Sequence, residues 1–237
     1  MLFPMKRHIP NAITLCNLLS GCVATQMALQ GRLSLSLLFI VIGAVFDFFD
    51  GFVARLLHET SAIGKELDSL ADDITFGFAP AAIVYALLQT ALCPWTCAST
   101  AVWVKWLPYT AFLIAAFSAL RLAKFNLDER QTSSFIGLPT PANALFWAAL
   151  GVGLEQSPLL QAPWMAFALT FGVVISCALL VSPIPMFALK FKHLGWRGNE
   201  LRICFIVCAA FLLLWLGLVG FSAVILLYVL CSVFHKR

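Results

Sequence analysis

Charge is scarce in this chain of 237 residues: Lys, Arg, Asp and Glu make up 11% of it, against 62% hydrophobic residues. A soluble globular domain carries about 25% charged residues, so the composition excludes a water-soluble fold. Histidine is rarer still, with four in the chain. A disulfide framework is missing as well: of eight cysteines, Cys16, Cys22, Cys177, Cys204, Cys208 and Cys231 fall in apolar stretches, where cysteine behaves as a small apolar residue. Only Cys93 and Cys97 share a connection; a bridge between them is left open, and with no histidine nearby the pair is not a zinc signature. There is no internal repeat and no low-complexity tract. No small-x-small cleavage site follows the first apolar stretch, which therefore reads as a retained helix.

Long apolar runs fill the chain instead. A helix needs about 20 mostly apolar residues to cross a bilayer, and eight candidates occur, roughly 11–30, 33–57, 68–92, 107–125, 140–155, 163–181, 201–216 and 218–234. The expected fold is an all-α polytopic transmembrane bundle of about eight spans. With both termini on the cytoplasmic side, every Lys and Arg except Arg32 and Lys105 falls on the inner face, as the positive-inside rule requires. The excess of basic residues is thus a topology signal and calls for no nucleic acid. Residues 1–10, basic and Pro-containing, are expected to lie along the inner interface, and residues 1–237 read as a single membrane domain. The seven Trp sit mostly at expected interfaces. The charges from Lys190 to Arg202, with His193, suit contact with anionic lipid.

Against this background, four acids stand at membrane depth: Asp47 and Asp50 near the inner end of the second run, Asp68 and Asp72 in the third. Each carboxylate placed there costs about 2.5 to 3.5 kcal/mol by insertion measurements, so the four need a counter-charge. Residues three or four apart share a helix face, which puts Asp47, Asp50, Gly51 and Ala54 on one side of span two, and Gly64, Asp68 and Asp72 on one side of span three. Only a short polar turn, His58 to Ser61, separates the two spans, so they are expected to be antiparallel neighbours whose acidic faces meet. Hard divalent ions take oxygen ligands, and Mg²⁺ is commonly held by carboxylates together with substrate phosphates. No Cys or His stands at ligand spacing within the frame, so Mg²⁺ or Mn²⁺, as a pair, is the expected occupant. The small residues Gly51, Ala54 and Gly64 leave room for a phosphate or a base, and Arg55 offers bidentate donors to it. Taken singly, the small residues also fit plain helix packing, but that reading leaves the carboxylates unexplained. Asp73 lies about 100° round the helix from Asp72, on a different face.

The run Asp47-x2-Asp50-Gly51-x2-Ala54-Arg55-x8-Gly64-x3-Asp68-x3-Asp72 resembles the signature of the CDP-alcohol phosphotransferases at every fixed position. The resemblance implies that Asp47, Asp50, Asp68 and Asp72 bind the metals and that Gly51, Ala54, Arg55 and Gly64 contact the CDP moiety of a CDP-linked lipid. It also implies that Asp72 is the general base. Asn11 and Thr14 match a Pro-Asn-x-x-Thr opening common near the nucleotide pocket of that family. Two further stretches, Arg121-Leu-Ala-Lys124-Phe125-Asn126 and Phe135-Ile-Gly137-Leu138-Pro139-Thr140-Pro141-Ala142, are similar to segments of the phosphatidylserine synthase branch, as is Ser182-x-Ile184-Pro185 with Lys190. Lys124 stands where that branch usually has Arg, and Asn143 where it has Ala.

The resemblance to that branch implies transfer of a phosphatidyl group from CDP-diacylglycerol to L-serine in a bacterial cytoplasmic membrane. The active site would face the cytoplasm, in a homodimer. Serine carries a carboxylate and an ammonium; Arg121, with Lys124 and Asn126, could meet the carboxylate. Lys124 and Arg130 equally suit a helix end anchored at the headgroups, and His58 and Glu59 read as solvent-side turn residues. The same frame would serve glycerol 3-phosphate, inositol or choline as acceptor. From another class, intramembrane acids can form the path of a cation transporter, although here the acids gather near one surface. A binding-only descendant of the enzyme is the remaining alternative.

Overall fold

The computed structural model describes residues 8–59, 61–98, 102–127, 136–186 and 199–234. The basic segment before His8, Arg130, Phe135 and the stretch from Lys190 to Arg197 lie outside these residues, as does the side chain of Cys97. The described chain is helical, its one strand-like contact being an isolated bridge between Ile136 and Pro185.

Among the described residues ten α-helices follow one another: α1 (His8–Leu29), α2 (Leu33–Leu56), α3 (Ala62–Asp72), α4 (Ala79–Ala98), α5 (Val102–Trp106), α6 (Leu113–Leu127), α7 (Thr140–Glu155), α8 (Met165–Val181), α9 (Glu200–Leu216) and α10 (Gly220–Phe234). A π-helical turn, Asp73–Phe78, joins α3 to α4 without interrupting the rod. Five segments are long and apolar enough to cross a membrane: His8–Leu29, Leu33–Leu56, Ala62–Pro94, Val104–Leu127 and Glu200–Phe234; Met165–Val181 is apolar but shorter. The last segment folds back on itself. Gly217 turns the chain at φ +57°, and the rings of Phe205 and Tyr228 meet at 6.1 Å, so α9 and α10 form a hairpin. The outward surface of the bundle carries bare apolar side chains such as Leu19, Phe48, Leu214 and Trp215, the surface a lipid solvent requires.

The sequence explains why α1 sits at the centre of the site half of the molecule. Its buried stripe is Thr14, Asn17, Ser20, Gly21, Ala24 and Ala28, small or polar residues that let neighbouring backbones approach closely. Along this stripe α1 packs against α2, and it also contacts α3, the π turn and α4. The acidic faces of spans two and three meet as expected, through the carboxylates of Asp47, Asp50 and Asp68, but the backbone packing runs largely through α1. α1 is the shared partner of α2 and α3, while α2 meets the third rod mainly lower down, at the π turn and α4. The backbones of α2 and α3 thus stay apart while their carboxylates reach across to one another, and the rods close up at the π turn.

One side chain fastens that closure. Thr75, fully buried in the π turn, projects between Gly21 of α1 and Gly43 of α2, where any added Cβ would run into it. Its hydroxyl donates to the carbonyl of Asn17 at 3.0 Å. A π turn accommodates an extra residue in the helical ladder and is frequent at functional sites; here it lies immediately after Asp72.

The helices α7 and α8 complete the core. Trp147 of α7 is buried and donates its indole N–H to Ser176 of α8 at 2.9 Å. The turn before α7 docks on the end of α8: the N–H of Gly137 donates to Ile184 at 2.9 Å and that of Leu138 to Leu179 at 3.0 Å. Gly137 adopts φ +75°, and a Cβ there would lie 2.7 Å from the carbonyl oxygen of Leu180. Only glycine satisfies both conditions. The Gly137-Leu138-Pro139 and Ser182-x-Ile184-Pro185 stretches, distant in sequence, thus lie against each other.

Candidate active site

Asp47 and Asp50 come from the C-terminal half of α2, and Asp68 and Asp72 from α3. The latter helix is positioned by its cap: Ser61 Oγ accepts the N–H of Gly64 at 2.9 Å, satisfying one of the free donors of a helix start. One carboxylate oxygen from each of Asp47, Asp50 and Asp68 falls within 4.8 Å of the others. Asp47 also reaches the carboxyl groups of Asp68 and Asp72. Such an arrangement of like charges could hold a metal ion, which would relieve their repulsion. The donor set is all oxygen, which fits Mg²⁺ or Mn²⁺.

The flanking hydrogen bonds come from α1. Thr14 Oγ1 lies 2.6 Å from Asp50 Oδ2 and 3.1 Å from the carbonyl of Pro10. Its single hydrogen is better spent on the carboxylate, a charge-assisted partner. Asn17 donates from Nδ2 to Asp72 Oδ1 at 3.1 Å and is fully buried. Thr14 was expected at the site from the Pro-Asn-x-x-Thr opening. Asn17 was not, although it lies three residues further along the same helix face, and that spacing was the available signal. Replacing Asn17 by Ala frees one Asp72 oxygen. We expect kcat to fall about 10-fold or more, in line with loss of a hydrogen bond to a charged group, with KM for the lipid donor little changed. Steady-state kinetics in detergent would check this, and an effect on KM alone would remove Asn17 as a positioning residue.

Beside the acids opens a cavity of about 230 Å³, lined by Pro10, Asn11, Thr14, Asp50, Gly51, Ala54, Glu59, Ser61, Gly64, Lys65 and Asp68. Five residues expected to contact the CDP-lipid, Asn11, Thr14, Gly51, Ala54 and Gly64, are thus brought together. A Cβ at Gly51 would meet no atom within 4 Å, so it would project into open space. At Gly64 it would come within 3.1 Å of Asn11 Oδ1 and 3.0 Å of Ser61 Oγ. Arg55 is elsewhere: it is exposed, and its Nε donates to the carbonyl of Gly51 at 3.0 Å, one turn back on its own helix. Lys65 and Glu59 line the cavity although sequence reasoning used the first only for topology and read the second as a turn residue.

The residues expected to bind the acceptor separate. Arg121 of α6 is 8% exposed and lies within electrostatic reach of Asp72; its Nε has no hydrogen-bond partner. Lys124 is exposed. Asn126 donates from Nδ2 to Ser69 Oγ at 2.8 Å, and its carbonyl accepts from Lys65 Nζ at 3.1 Å. These bonds tie α6 to α3 and leave Arg121 as the cation of that group nearest the acids.

Comparison with known proteins gives a family model for CDP-alcohol phosphatidyltransferase that matches residues 7–234. Among characterised relatives, a CDP-diacylglycerol--serine O-phosphatidyltransferase of Bacillus subtilis is 37% identical over 138 residues, 56% of this chain and 70% of that protein. The protein of the same description from Mycobacterium tuberculosis is 32% identical over 186 residues, 75% of this chain and 60% of its own. That of Methanocaldococcus jannaschii is 34% identical over 137 residues, 58% and 57% of the two chains. The match therefore spans about three fifths of the mycobacterial and archaeal relatives.

Proposed function

Since the chain belongs to the CDP-alcohol phosphatidyltransferase family, we propose that it transfers the phosphatidyl group of CDP-diacylglycerol to L-serine, forming phosphatidylserine and releasing CMP. The observation that carries this reading is the convergence of Asp47, Asp50 and Asp68 beside a cavity lined by Asn11, Thr14, Gly51, Ala54 and Gly64. The acceptor is taken from the relatives described as serine phosphatidyltransferases and from the buried Arg121 near Asp72.

In this reading Asp47, Asp50, Asp68 and Asp72 would hold two divalent ions, Mg²⁺ or Mn²⁺. Bound there, the ions supply charge neutralisation for the diphosphate and for CMP as it leaves. Asn11, Thr14, Gly51, Ala54 and Gly64 form the walls for the CDP moiety, with Lys65 as a cation at the same walls. Arg55 reaches a phosphate only if it leaves its bond to Gly51. Asp72 accepts the proton of the serine hydroxyl as its oxygen bonds to the phosphorus that carries the diacylglycerol. The bond from that phosphorus to the CMP oxygen breaks, and CMP departs with the electron pair. A hydroxyl is a weak nucleophile at neutral pH, so a positioned base is required; Asn17 keeps Asp72 pointed at the reacting group.

Residues 1–237 act as one membrane domain of eight spans with both termini cytoplasmic, in the inner membrane of a bacterium, and as a homodimer. The charge asymmetry between connections supports the topology, and the hairpin at Gly217 supports counting the last segment as two spans. A cation transporter is the less favoured reading, because the acids cluster at one end of α2 and α3 and form no path across the bundle.

The test is release of labelled CMP from CDP-diacylglycerol by detergent-purified protein, with L-serine, glycerol 3-phosphate, inositol or choline added separately. Release is expected with serine, to be lost on chelation of divalent ions and restored by Mg²⁺ or Mn²⁺. Release with another alcohol would overturn the acceptor assignment, and release in the presence of chelator would overturn the metal assignment.

A further inference from the structure

Asp73 is an intramembrane acid to which the mechanism gives no work. It follows Asp72 directly, but, about 100° further round the rod, it lies against α6. A Cβ built on Gly77 would come 2.6 Å from Asp73 Oδ1, 3.0 Å from Ser118 Cβ and 3.5 Å from Ala115 Cα, so the carboxylate occupies the gap between the π turn and α6 that Gly77 leaves open. Asp73 Oδ1 is buried without a hydrogen-bond partner. So is the hydroxyl of Ser118, whose residue is fully buried, and so is Nε of Arg121, one turn further along α6 on the same face.

Three polar groups left unpaired in one place are unusual, because buried polar atoms nearly always find partners. A carboxylate at this depth is costlier still and calls for a cation. Among the described residues Asp73 draws on no Lys, Arg or His, and it is not a member of the group formed by Asp47, Asp50 and Asp68. The set offers an anion, a hydroxyl and a guanidinium along one side of α6, with Arg121 reaching toward Asp72. That order of charges complements a small zwitterion whose hydroxyl is presented to Asp72.

We infer that Asp73 binds the ammonium group of the acceptor, with Ser118 beside it and Arg121 receiving the acceptor's carboxylate, so that Asp73 selects an amino acid over an uncharged or anionic alcohol. This rests on the serine reading above and assigns to Asp73 a role in specificity, not in the transfer of the phosphatidyl group. Gly77 has a part in it, since any side chain there would push into the carboxylate.

The experiment compares L-serine with 3-hydroxypropanoate, which has the same hydroxyl and carboxylate but no ammonium. CMP release from CDP-diacylglycerol is measured for the full chain and for Asp73→Asn. The full chain is expected to favour serine by about 10- to 100-fold in kcat/KM, as befits a hydrogen bond to a charged group. In D73N the serine value should drop by a similar factor while that for 3-hydroxypropanoate does not, collapsing the preference. An equal loss for both acceptors, or an unchanged preference, overturns the assignment of Asp73 and leaves the serine reading standing. Absence of serine turnover in the unsubstituted protein takes down both. Should D73N fail to fold, inhibition of the unsubstituted protein decides: L-alanine should compete with serine at least about 10-fold better than propanoate, and equal inhibition by the two overturns the proposal.

Discussion

Asp72→Asn is expected to lower CMP release by about 10²- to 10⁴-fold, the usual contribution of a positioned base, while binding of CDP-diacylglycerol is partly retained. The substitution is nearly isosteric, so Asn17 and Arg121 keep a neighbour of the same shape, but an amide cannot take the proton of the incoming alcohol. It also removes one of four carboxylates that crowd one another when no cation is bound. The metal-free variant should therefore unfold in detergent at a temperature no lower than that of the metal-free parent. Activity and stability are thus predicted to move apart. Single-turnover CMP release and thermal unfolding of the same preparation would measure both. Turnover above about a tenth of the parent's, well short of the loss expected for a base, would remove Asp72 from that role, and a large drop in stability would make the activity loss uninformative about proton transfer.

The second large effect is expected at a residue that carries no charge. Gly21→Val would place a Cβ 2.8 Å from Thr75 Cα and 2.9 Å from Thr75 N, and a main chain inside a π turn cannot swing aside as a flexible side chain would. α1 must shift outward. Asn17 lies one turn away on the same face, so the shift draws its amide from Asp72 and its carbonyl from Thr75. Overpacking of this kind costs about 1 to 3 kcal/mol, and a displacement of about 1 Å at the reacting groups costs on the order of 10²-fold in rate. The expected outcome is a protein that still inserts and folds with a lowered unfolding temperature and CMP release down by about 10². Unfolding curves read beside kinetics would check this. A Gly21→Val protein with the parent's rate would show that the contact between α1 and the π turn does not hold the site.

Part of this site is legible from residue order because it is built on helices. Spacings of three and four put Asp47 with Asp50, and Asp68 with Asp72, each pair on one face, and those faces do bring three carboxylate oxygens together. The apolar runs locate α1, α2, the α3–α4 rod, α6 and the α9–α10 segment to within a few residues of their observed bounds. Asn11 and Thr14 are placed by the resemblance of their Pro-Asn-x-x-Thr opening to the family's and not by spacing; both lie near the start of α1 and line the cavity.

Other features depend on which helix lies beside which, and periodicity carries no such information. Asn17 and Lys65 belong to the site because α1 and α3 converge there. Arg55, by contrast, is folded onto Gly51 by a local bond that competes with any ligand. The acidic faces of spans two and three meet through their carboxylates, while the packing that holds the two helices there runs through α1, whose small residues let it close on both. The π turn is the least legible element. Nothing in Asp73-Ile-Thr-Phe-Gly-Phe78 announces an extra residue per turn; it arises where Thr75 fits the notch of Gly21 and Gly43.

Residue order alone, then, settles that the chain lives in lipid and that α2 and α3 carry paired acids near their linking turn, because hydropathy and helical spacing act over a few residues at a time. Which helix fills the space between the acids, where Asp73 ends up, and which cation stands nearest Asp72 are set by packing. Those outcomes depend on small residues meeting across distances of up to 58 positions in the chain, as Asn17 and Thr75 do, and such pairings exist only once the bundle has closed.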